Sequence, residues 1–211
     1  MLAACYIFQQ GTPFIYQGQE IGMTNIKLDS IDQYLDVASV HAYHNFHKHQ
    51  SEARRLHRIH VASRDSARTP MQWNGGANAG FSAAKPWFFV NPNYPEINAE
   101  REEQDPDSIL NFYRRCLALR KSCPALLWGS YREYGRWKRK LYVYERRLDS
   151  ERMLVVCSFS ARPQKYRLPR GFDERDAERL LCNYPEPGRA GLLRPYEVRV
   201  FRWRDADPTE R

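Results

Sequence analysis

The pattern of apolar and polar positions divides the chain into a helix-rich first part and a strand-rich last part. Residues 1–8 are almost all apolar and predict the end of a buried helix that leads into a short apolar β run. Pro13 opens that run, at a position where its missing N–H does no harm. The run ends in the polar glycine turn 16–20. We therefore expect a buried, parallel-type strand that brings polar side chains to the rim at its carboxy-terminal end.

Two helical stretches follow, over residues 40–50 and 52–62, each with a modest apolar stripe. Ser51 is placed to cap the second stretch. Residues 63–98 are rich in Pro, Gly, Asn and aromatic residues and show little periodicity, which predicts a long functional loop. Asp105 and Pro106 then open the clearest helix, because aspartate suits the cap and proline the first turn. This helix is predicted to end before Pro124.

Beyond residue 128 the apolar period changes from that of a helix to two, which is typical of strands. The predicted strands share alternating apolar positions bounded by turn residues, and they cover 141–145, 153–159, 166–168, 180–182 and 196–203. Several short strands joined by turns predict an antiparallel sheet or sandwich.

Composition limits the class of protein. The chain has 211 residues, of which 42% are hydrophobic and 13% aromatic, so it can bury a core and is not disordered. No apolar stretch approaches the length of a membrane span. Residues 1–8 have neither the basic start nor the cleavage site of a signal peptide. The five cysteines are odd in number and lack a CxxC pair, which indicates a reducing, cytoplasmic setting.

The net charge of +8 raises nucleic acid as a partner. The excess comes mainly from arginines scattered after Arg114, such as Arg136, with Lys138 and Lys140 nearby, and no RNA- or DNA-binding motif accompanies them. We interpret these residues as a solvated basic surface and predict no nucleic-acid partner and no membrane partner.

All six histidines fall in one helical region, at positions 41, 44, 47, 49, 57 and 60. Pairs three residues apart share a helix face, so a metal site is geometrically possible. Their order fits no zinc motif, and no cysteine or obvious carboxylate completes a ligand set. We therefore predict a solvated polar helix face and no metal ligand.

Several segments together carry a resemblance to one family. They are GTPFIYQGQEIGMTN at 11–25, RDSARTPMQW at 64–73, DPDSI at 105–109 and LRPYE at 193–197. They resemble glycoside hydrolase family 13, in its oligo-1,6-glucosidase and α-glucosidase branch. The implied fold is α/β plus all-β: the last strand and helix of a (β/α)8 TIM barrel, followed by an antiparallel β-sandwich C-terminal domain. Residues 1–125 would be the end of the barrel with its long active-site loop, and residues 126–211 the β-domain.

The resemblance implies retaining hydrolysis of an α-glucosidic bond by two carboxyl groups about 5 Å apart. In the family the nucleophilic aspartate, the acid/base glutamate and a third, sugar-binding aspartate precede the last strand, so we expect no catalytic residue in this chain and no activity from it alone. Gln19 stands where the family usually has a second glutamate. Glu20 is therefore expected to anchor the rim through hydrogen bonds. No cofactor is implied.

Arg68 is the best candidate for substrate contact, because a planar guanidinium holds hydroxyl groups in fixed geometry and the family's loop reaches the sugar-binding cleft. Arg64 is the alternative, and both arginines could instead only hold the loop in place. Asp65, which lies between arginines, is predicted to fix the loop. For the loop's large aromatic residues we favour packing over stacking on sugars: Trp73, Phe81 and Trp87.

The implied activity is that of an exo-acting α-glucosidase that cleaves short α-1,6- or α-1,4-linked oligosaccharides in the cytoplasm. A small oligosaccharide would bind through the complete barrel. Part of a trehalose-6-phosphate hydrolase is the nearest alternative, and the segments that separate these specificities lie largely upstream. Two further readings are a non-catalytic interaction protein, like the heavy subunits of amino-acid transporters, and a stand-alone sugar-binding module.

Overall fold

The computed structural model describes residues 1–46, 48–135, 139–186 and 188–204, without the side chain of Phe46. The chain forms two compact units. Residues 1–14 and the chain from Phe112 onward make up the sheet unit, and residues 15–111 the loop unit. The predicted division between residues 125 and 126 stays a prediction for the whole protein. His47, Arg136 and Lys138, which entered the arguments on metal and nucleic acid, lie outside the described residues.

The sheet unit is built on antiparallel strands. In chain order they are β1 Ser130–Tyr134, β2 Leu141–Leu148, β3 Glu151–Ser158, β4 Gln164–Lys165, β5 Glu178–Cys182, β6 Leu192–Leu193 and β7 Val198–Arg204. Five of them form one sheet in the order β1-β2-β3-β7-β5, and β4 pairs with β6 in a separate ribbon. The predicted antiparallel sheet is confirmed. The described residues form one five-stranded sheet and a two-stranded ribbon, and the predicted sandwich stays a prediction.

Both faces of this sheet are buried. Met153, Val155 and Cys157 of β3 belong to a core shared with three helices, α1 Leu2–Ile7, α5 Ile109–Ser122 and α6 Pro124–Trp128. Leu154 and Val156, which point to the opposite face, pack in a second core that includes residues near the ribbon. Burial on both faces explains why β3 reads as a nearly continuous apolar run.

Two arginines tie the end of α1 to this core. Arg146 is fully buried, and its Nη1 donates to the carbonyl oxygens of Phe8 at 2.9 Å and Leu126 at 2.8 Å. Arg120 donates from Nη2 to the carbonyl oxygen of Gly11 at 2.6 Å. Burial lowers the pKa of both guanidinium groups. These cations satisfy carbonyl groups that the helix end leaves unpaired.

The loop unit contains short helices and turns. Its helices are α2 Val37–His41, which continues into a π-helical turn Ala42–Phe46, then α3 Glu52–Ala62 and α4 Ala99–Gln104. Short 3-10 turns cover Gln19–Ile21, Ile31–Gln33, Arg64–Arg68 and Ala77–Gly80. Most of its buried apolar residues form one small cluster of Ile26, Leu28, Ile31, Tyr34, Tyr43, Ile59 and Phe88. Ile21, Met71 and Ala79 are buried outside that cluster.

Amide side chains hold much of the loop unit together. Asn91 donates from Nδ2 to the carbonyl oxygen of Thr24 at 2.9 Å. The buried Gln72 donates to the carbonyl oxygen of Ile97. Asn98 accepts the N–H of Arg101 at 3.0 Å and so caps α4. Such bonds satisfy backbone groups that no helix or sheet pairs.

Several predicted elements agree with the structure and others are displaced. Helix α3 has the predicted bounds, although Ser51 makes no side-chain cap hydrogen bond. Helix α5 begins after the predicted start, and Ser108 rather than Asp105 accepts a helical N–H, that of Asn111. The strand predicted at 166–168 is wrong, because pairing with β6 ends at Lys165.

The strand predicted after Pro13 does not form. Residues 12–16 lie outside every helix and strand, and Phe14 is 85% exposed where we expected a buried side chain. A β-strand is stable when neighbouring strands pair with its N–H and C=O groups. The described part of the chain places no strand beside this segment, so the apolar pattern has nothing to pair with.

Candidate functional site

The turn Arg64–Arg68 carries both predicted substrate-binding residues, and Asp65 fixes it. Ser63 caps the turn by accepting the Asp65 N–H at 3.2 Å. The Asp65 carboxylate is fully buried and accepts the N–H groups of Leu35 at 2.8 Å and Asp36 at 2.9 Å. Its other oxygen accepts Arg68 Nη1 at 3.1 Å. The prediction that Asp65 fixes this loop is confirmed.

Asp36 is a second buried carboxylate, and the sequence analysis missed it. Arg64 donates to its Oδ1 from Nε at 2.9 Å and Nη2 at 2.6 Å, and Ser39 donates to Oδ2 at 2.7 Å. Burial alone would raise the pKa of Asp36, but the hydrogen bonds from Arg64 and Ser39 outweigh it and lower the pKa to about 2. Its only signal in the sequence is an acidic residue just before a short helix.

The two arginines are therefore ion-paired with different aspartates yet remain open to solvent. The side chain of Arg64 is 65% exposed and that of Arg68 is 38% exposed. A guanidinium has five N–H donors. Arg68 uses one of them on Asp65, and no other hydrogen bond of Arg68 occurs among the described residues. It is a preoriented donor set that can still bind hydroxyl or carboxylate oxygens.

A cleft of about 370 Å³ lies beside this turn. It is lined by the glycine turn after the extended segment and by the turn that carries the arginines: Tyr16–Gln19, Met23–Asn25, Val61, Ser63, Ser66, Ala67, Thr69 and Met71. Tyr16 joins the two walls by donating its hydroxyl to the carbonyl oxygen of Ala67 at 2.8 Å. The volume is at the small end of ligand-binding pockets.

Neither predicted arginine lines that cleft. Arg64 lines a different one of about 590 Å³, together with Asp36, His57 and Arg58. The structure thus brings Arg64 and Arg68 onto one short turn, but it does not place both in one cavity.

Other expected residues behave differently from the predictions. Glu20 was predicted to anchor the rim through hydrogen bonds, but its Oε2 is buried with no hydrogen-bond partner among the described residues. Trp73 and Phe81 are about half exposed and Trp87 is 68% exposed, so these side chains pack inside the loop only in part. The Trp87 ring does contact that of Phe88, at 5.4 Å between centroids.

The described histidines form no metal site, and the described helices include no membrane span. His60 Nε2 lies 3.0 Å from the carbonyl oxygen of Leu28. No group of three or more His, Cys, Asp or Glu side chains among the described residues has the geometry of a metal site. In the same part of the chain, no helix is long and apolar enough to cross a bilayer.

Known proteins resemble the chain over almost its full length. The alpha amylase catalytic-domain model matches residues 1–129. Probable oligo-1,6-glucosidase 2 of Bacillus subtilis is 41% identical over 205 residues, which are 95% of this chain and 36% of the relative. Trehalose-6-phosphate hydrolase of the same organism is 38% identical over 209 residues, which are 96% of this chain and 37% of the relative.

A solved structure agrees with these sequence matches. That of Bacillus licheniformis trehalose-6-phosphate hydrolase superposes with a TM-score of 0.88 at 38% identity, over 97% of this chain and 38% of that one. The chain thus spans little more than a third of the length of the relatives it matches. Because the catalytic-domain match covers more than half of the chain and includes the glycine turn and both arginines, the chain belongs to the alpha-amylase family of glycoside hydrolases.

Proposed function

We propose that the chain is the carboxy-terminal part of a retaining α-glucosidase of the oligo-1,6-glucosidase type, which acts on short α-glucosides in the cytoplasm. The observation that carries this proposal is the 41% identity to the Bacillus subtilis relative, which extends over 95% of the chain. In the whole protein, residues 1–125 would complete the barrel and residues 126–211 would form the β-domain.

Retaining hydrolysis needs a nucleophilic carboxylate and an acid/base carboxylate about 5 Å apart. We place both in the part of the protein that the relatives contain and this chain does not, so the chain alone should not hydrolyse glycosides. Its contribution is to position substrate. Arg68 is held by the buried Asp65 and keeps N–H donors free, so it would bind sugar hydroxyl groups without reorganising when substrate arrives.

A chimera tests this proposal. The chain replaces the matching segment of the Bacillus subtilis oligo-1,6-glucosidase relative, and glucose release from isomaltose is followed, with the anomeric configuration of the product read by NMR. We expect hydrolysis with retention. A chimera that folds like its parent but releases no glucose would exclude the proposed role of the chain.

Trehalose-6-phosphate hydrolase is the second candidate, because its solved structure superposes closely on the chain. The same replacement in the Bacillus subtilis trehalose-6-phosphate hydrolase separates the two. If the first proposal holds, the glucosidase chimera keeps the larger share of its parent's kcat/KM. The reverse ranking favours the phosphorylated substrate.

A further inference from the structure

The cleft that Arg64 lines is large enough to hold a small molecule of its own. Its volume is about 590 Å³, which is within the range of ligand-binding pockets. The lining residues come from α2, the start of the π-helical turn, α3 and the turn that carries Arg64, and all of them belong to the loop unit. Arg68 does not line this cleft, so it is separate from the proposed sugar contact.

Part of the cleft wall is apolar. Ala38 and Ala42 line it from the first helical segment, and Ile59 and Val61 line it from α3. Val61 is 65% exposed. A ligand with an apolar body would remove this side chain from water and gain free energy by doing so. The wall therefore favours a ligand that is apolar over part of its surface.

Two arginines supply the charge of the cleft. Arg64 donates from Nε and Nη2 to Asp36, and its Nη1 has no hydrogen bond in the described part of the chain. Arg58 donates from Nε to the neutral side chain of Gln50 at 3.0 Å, and no carboxylate among the described residues forms an ion pair with it. His57 is the remaining titratable residue of the lining. Because the charges of Arg64 and Asp36 cancel, Arg58 is the uncompensated cation of the cleft.

We propose that this cleft binds a small organic carboxylate. The carboxylate accepts hydrogen bonds from the terminal nitrogens of Arg58, because a planar guanidinium matches the two oxygens of a carboxylate. Arg64 Nη1 adds a further donor. The apolar body of the ligand lies on Val61 and the two alanines. One negative charge balances the one uncompensated cation, whereas the two charges of a phosphate would exceed it.

Titration with benzoate tests the proposal. Proton–nitrogen NMR spectra of the 211-residue chain are recorded at low salt and at about pH 8, where an ordinary histidine is uncharged. Benzyl alcohol, inorganic phosphate and isomaltose are the comparison probes. We expect saturable shifts of the amide signals of residues 36–42 and 57–64 with benzoate. Benzyl alcohol lacks the charge and phosphate lacks the apolar body, so each should bind about tenfold more weakly. Isomaltose should not compete.

Substitutions show whether the named residues bind the ligand. Arg58→Gln removes the uncompensated charge and should weaken benzoate binding about tenfold. Arg54→Gln is the matched control, since Arg54 is exposed on the same helix, carries the same charge and does not line the cleft. Ala38→Phe narrows the cleft from the other helix at an exposed position, so it should weaken binding without changing the circular dichroism of the chain.

Several results would overturn the site. These are shifts that do not saturate or that lie mainly outside residues 36–64, unchanged binding in Ala38→Phe, and equal loss of binding in Arg58→Gln and Arg54→Gln. Equally tight binding of phosphate or of benzyl alcohol would overturn the organic carboxylate as the ligand. Competition by isomaltose would make this cleft part of the sugar site and overturn its separate assignment. The glucosidase chimera tests the proposed function independently of all these results.

Discussion

The sheet unit and the loop unit use the same device, a buried carboxylate with arginine partners, in opposite ways. In the sheet unit Glu197 is fully buried and accepts Arg199 Nε at 2.9 Å and Arg194 Nη2 at 3.0 Å, while Arg199 is itself buried. In the loop unit the aspartates are buried but their arginines reach solvent. A closed network stabilises the sheet unit, whereas an open one leaves donors for a ligand.

The units also differ in how their backbone is held. The sheet unit pairs its N–H and C=O groups along a ladder in which Val155 lies opposite both Tyr144 and Val200. The loop unit relies on single side chains such as Asp65 and Asn91. Substituting one side chain in the sheet leaves the backbone hydrogen bonds of its strands in place. Substituting the one carboxylate that accepts the loop's N–H groups removes those hydrogen bonds. Point substitutions in the two units should therefore differ in their effects on unfolding free energy, local hydrogen exchange and activity.

The largest effect is expected from Glu197→Ala. It removes the nearer of the two carboxylates beside the buried Arg199 and leaves Glu174 Oε1, 3.8 Å from Arg199 Nη1. Breaking such a buried pair costs about 3–5 kcal/mol of unfolding free energy. Urea unfolding of the chain measures the loss. Glu178→Ala is the matched control, because its partner Arg202 and its own side chain are partly exposed, and it should cost about 1 kcal/mol or less. Equal losses would show that the network is not closed.

Asp65→Ala should come next, at about 3 kcal/mol, because it orphans the buried N–H of Asp36 and the half-buried N–H of Leu35. Hydrogen exchange should rise at these amides and change little in β3. Uniformly faster exchange across β3 as well would contradict the idea that Asp65 acts only on the loop unit.

Acid should weaken the loop unit through Asp36. Its pKa in the folded state, about 2, lies below the ordinary value of 3.8, so the folded state favours the ionised form. This stabilisation, about 2 kcal/mol, is fully present above pH 4 and is lost as the pH falls toward 2. The difference in unfolding free energy between the unmodified chain and Asp36→Asn should shrink over that window. A constant difference would show that Asp36 does not titrate as its contacts imply.

The smallest effect concerns the substrate. Arg68→Ala in the glucosidase chimera should lower kcat/KM about tenfold, or about 1.4 kcal/mol, and it should also lower the unfolding midpoint, because Arg68 is the ion-pair partner of the buried Asp65. Arg64→Ala should lower the unfolding midpoint, because Arg64 neutralises the buried Asp36. It should leave kcat/KM nearly unchanged. If Arg64→Ala lowers kcat/KM more than Arg68→Ala, the roles of the two arginines are exchanged.

The pattern of neighbouring residues in the sequence correctly predicted elements whose interactions involve residues close by in the chain. The bounds of α3 and most of β3 follow from apolar periodicity alone. Asp65 was identified because it lies between arginines in one short segment. In contrast, β1 was missed because its burial pattern is that of a largely exposed edge, with little apolar alternation to find.

The missed features depend on residues far away in the chain. Asp36 acquires its role only when residues 64 and 65 fold against it, nearly thirty positions later. The apolar run after Pro13 was predicted to be a buried strand, and this prediction is wrong for the described residues, because they supply no neighbouring strand for it to pair with. Sequence periodicity reports which side chains prefer burial, and it does not report whether a partner is present.

The contacts of Arg146 with the end of α1 can form only after Arg146 has been synthesised. Arg146 holds the end of α1 to the sheet unit, but it leaves the ribosome long after Phe8 does. At usual rates of translation the delay is on the order of 10 s. For that time the first helix lacks its partners in the sheet, although Arg120 of α5, which donates to the carbonyl oxygen of Gly11, is synthesised earlier. A nascent chain paused before residue 146 should therefore expose residues 1–14 to a protease, and one paused after β7 should protect them.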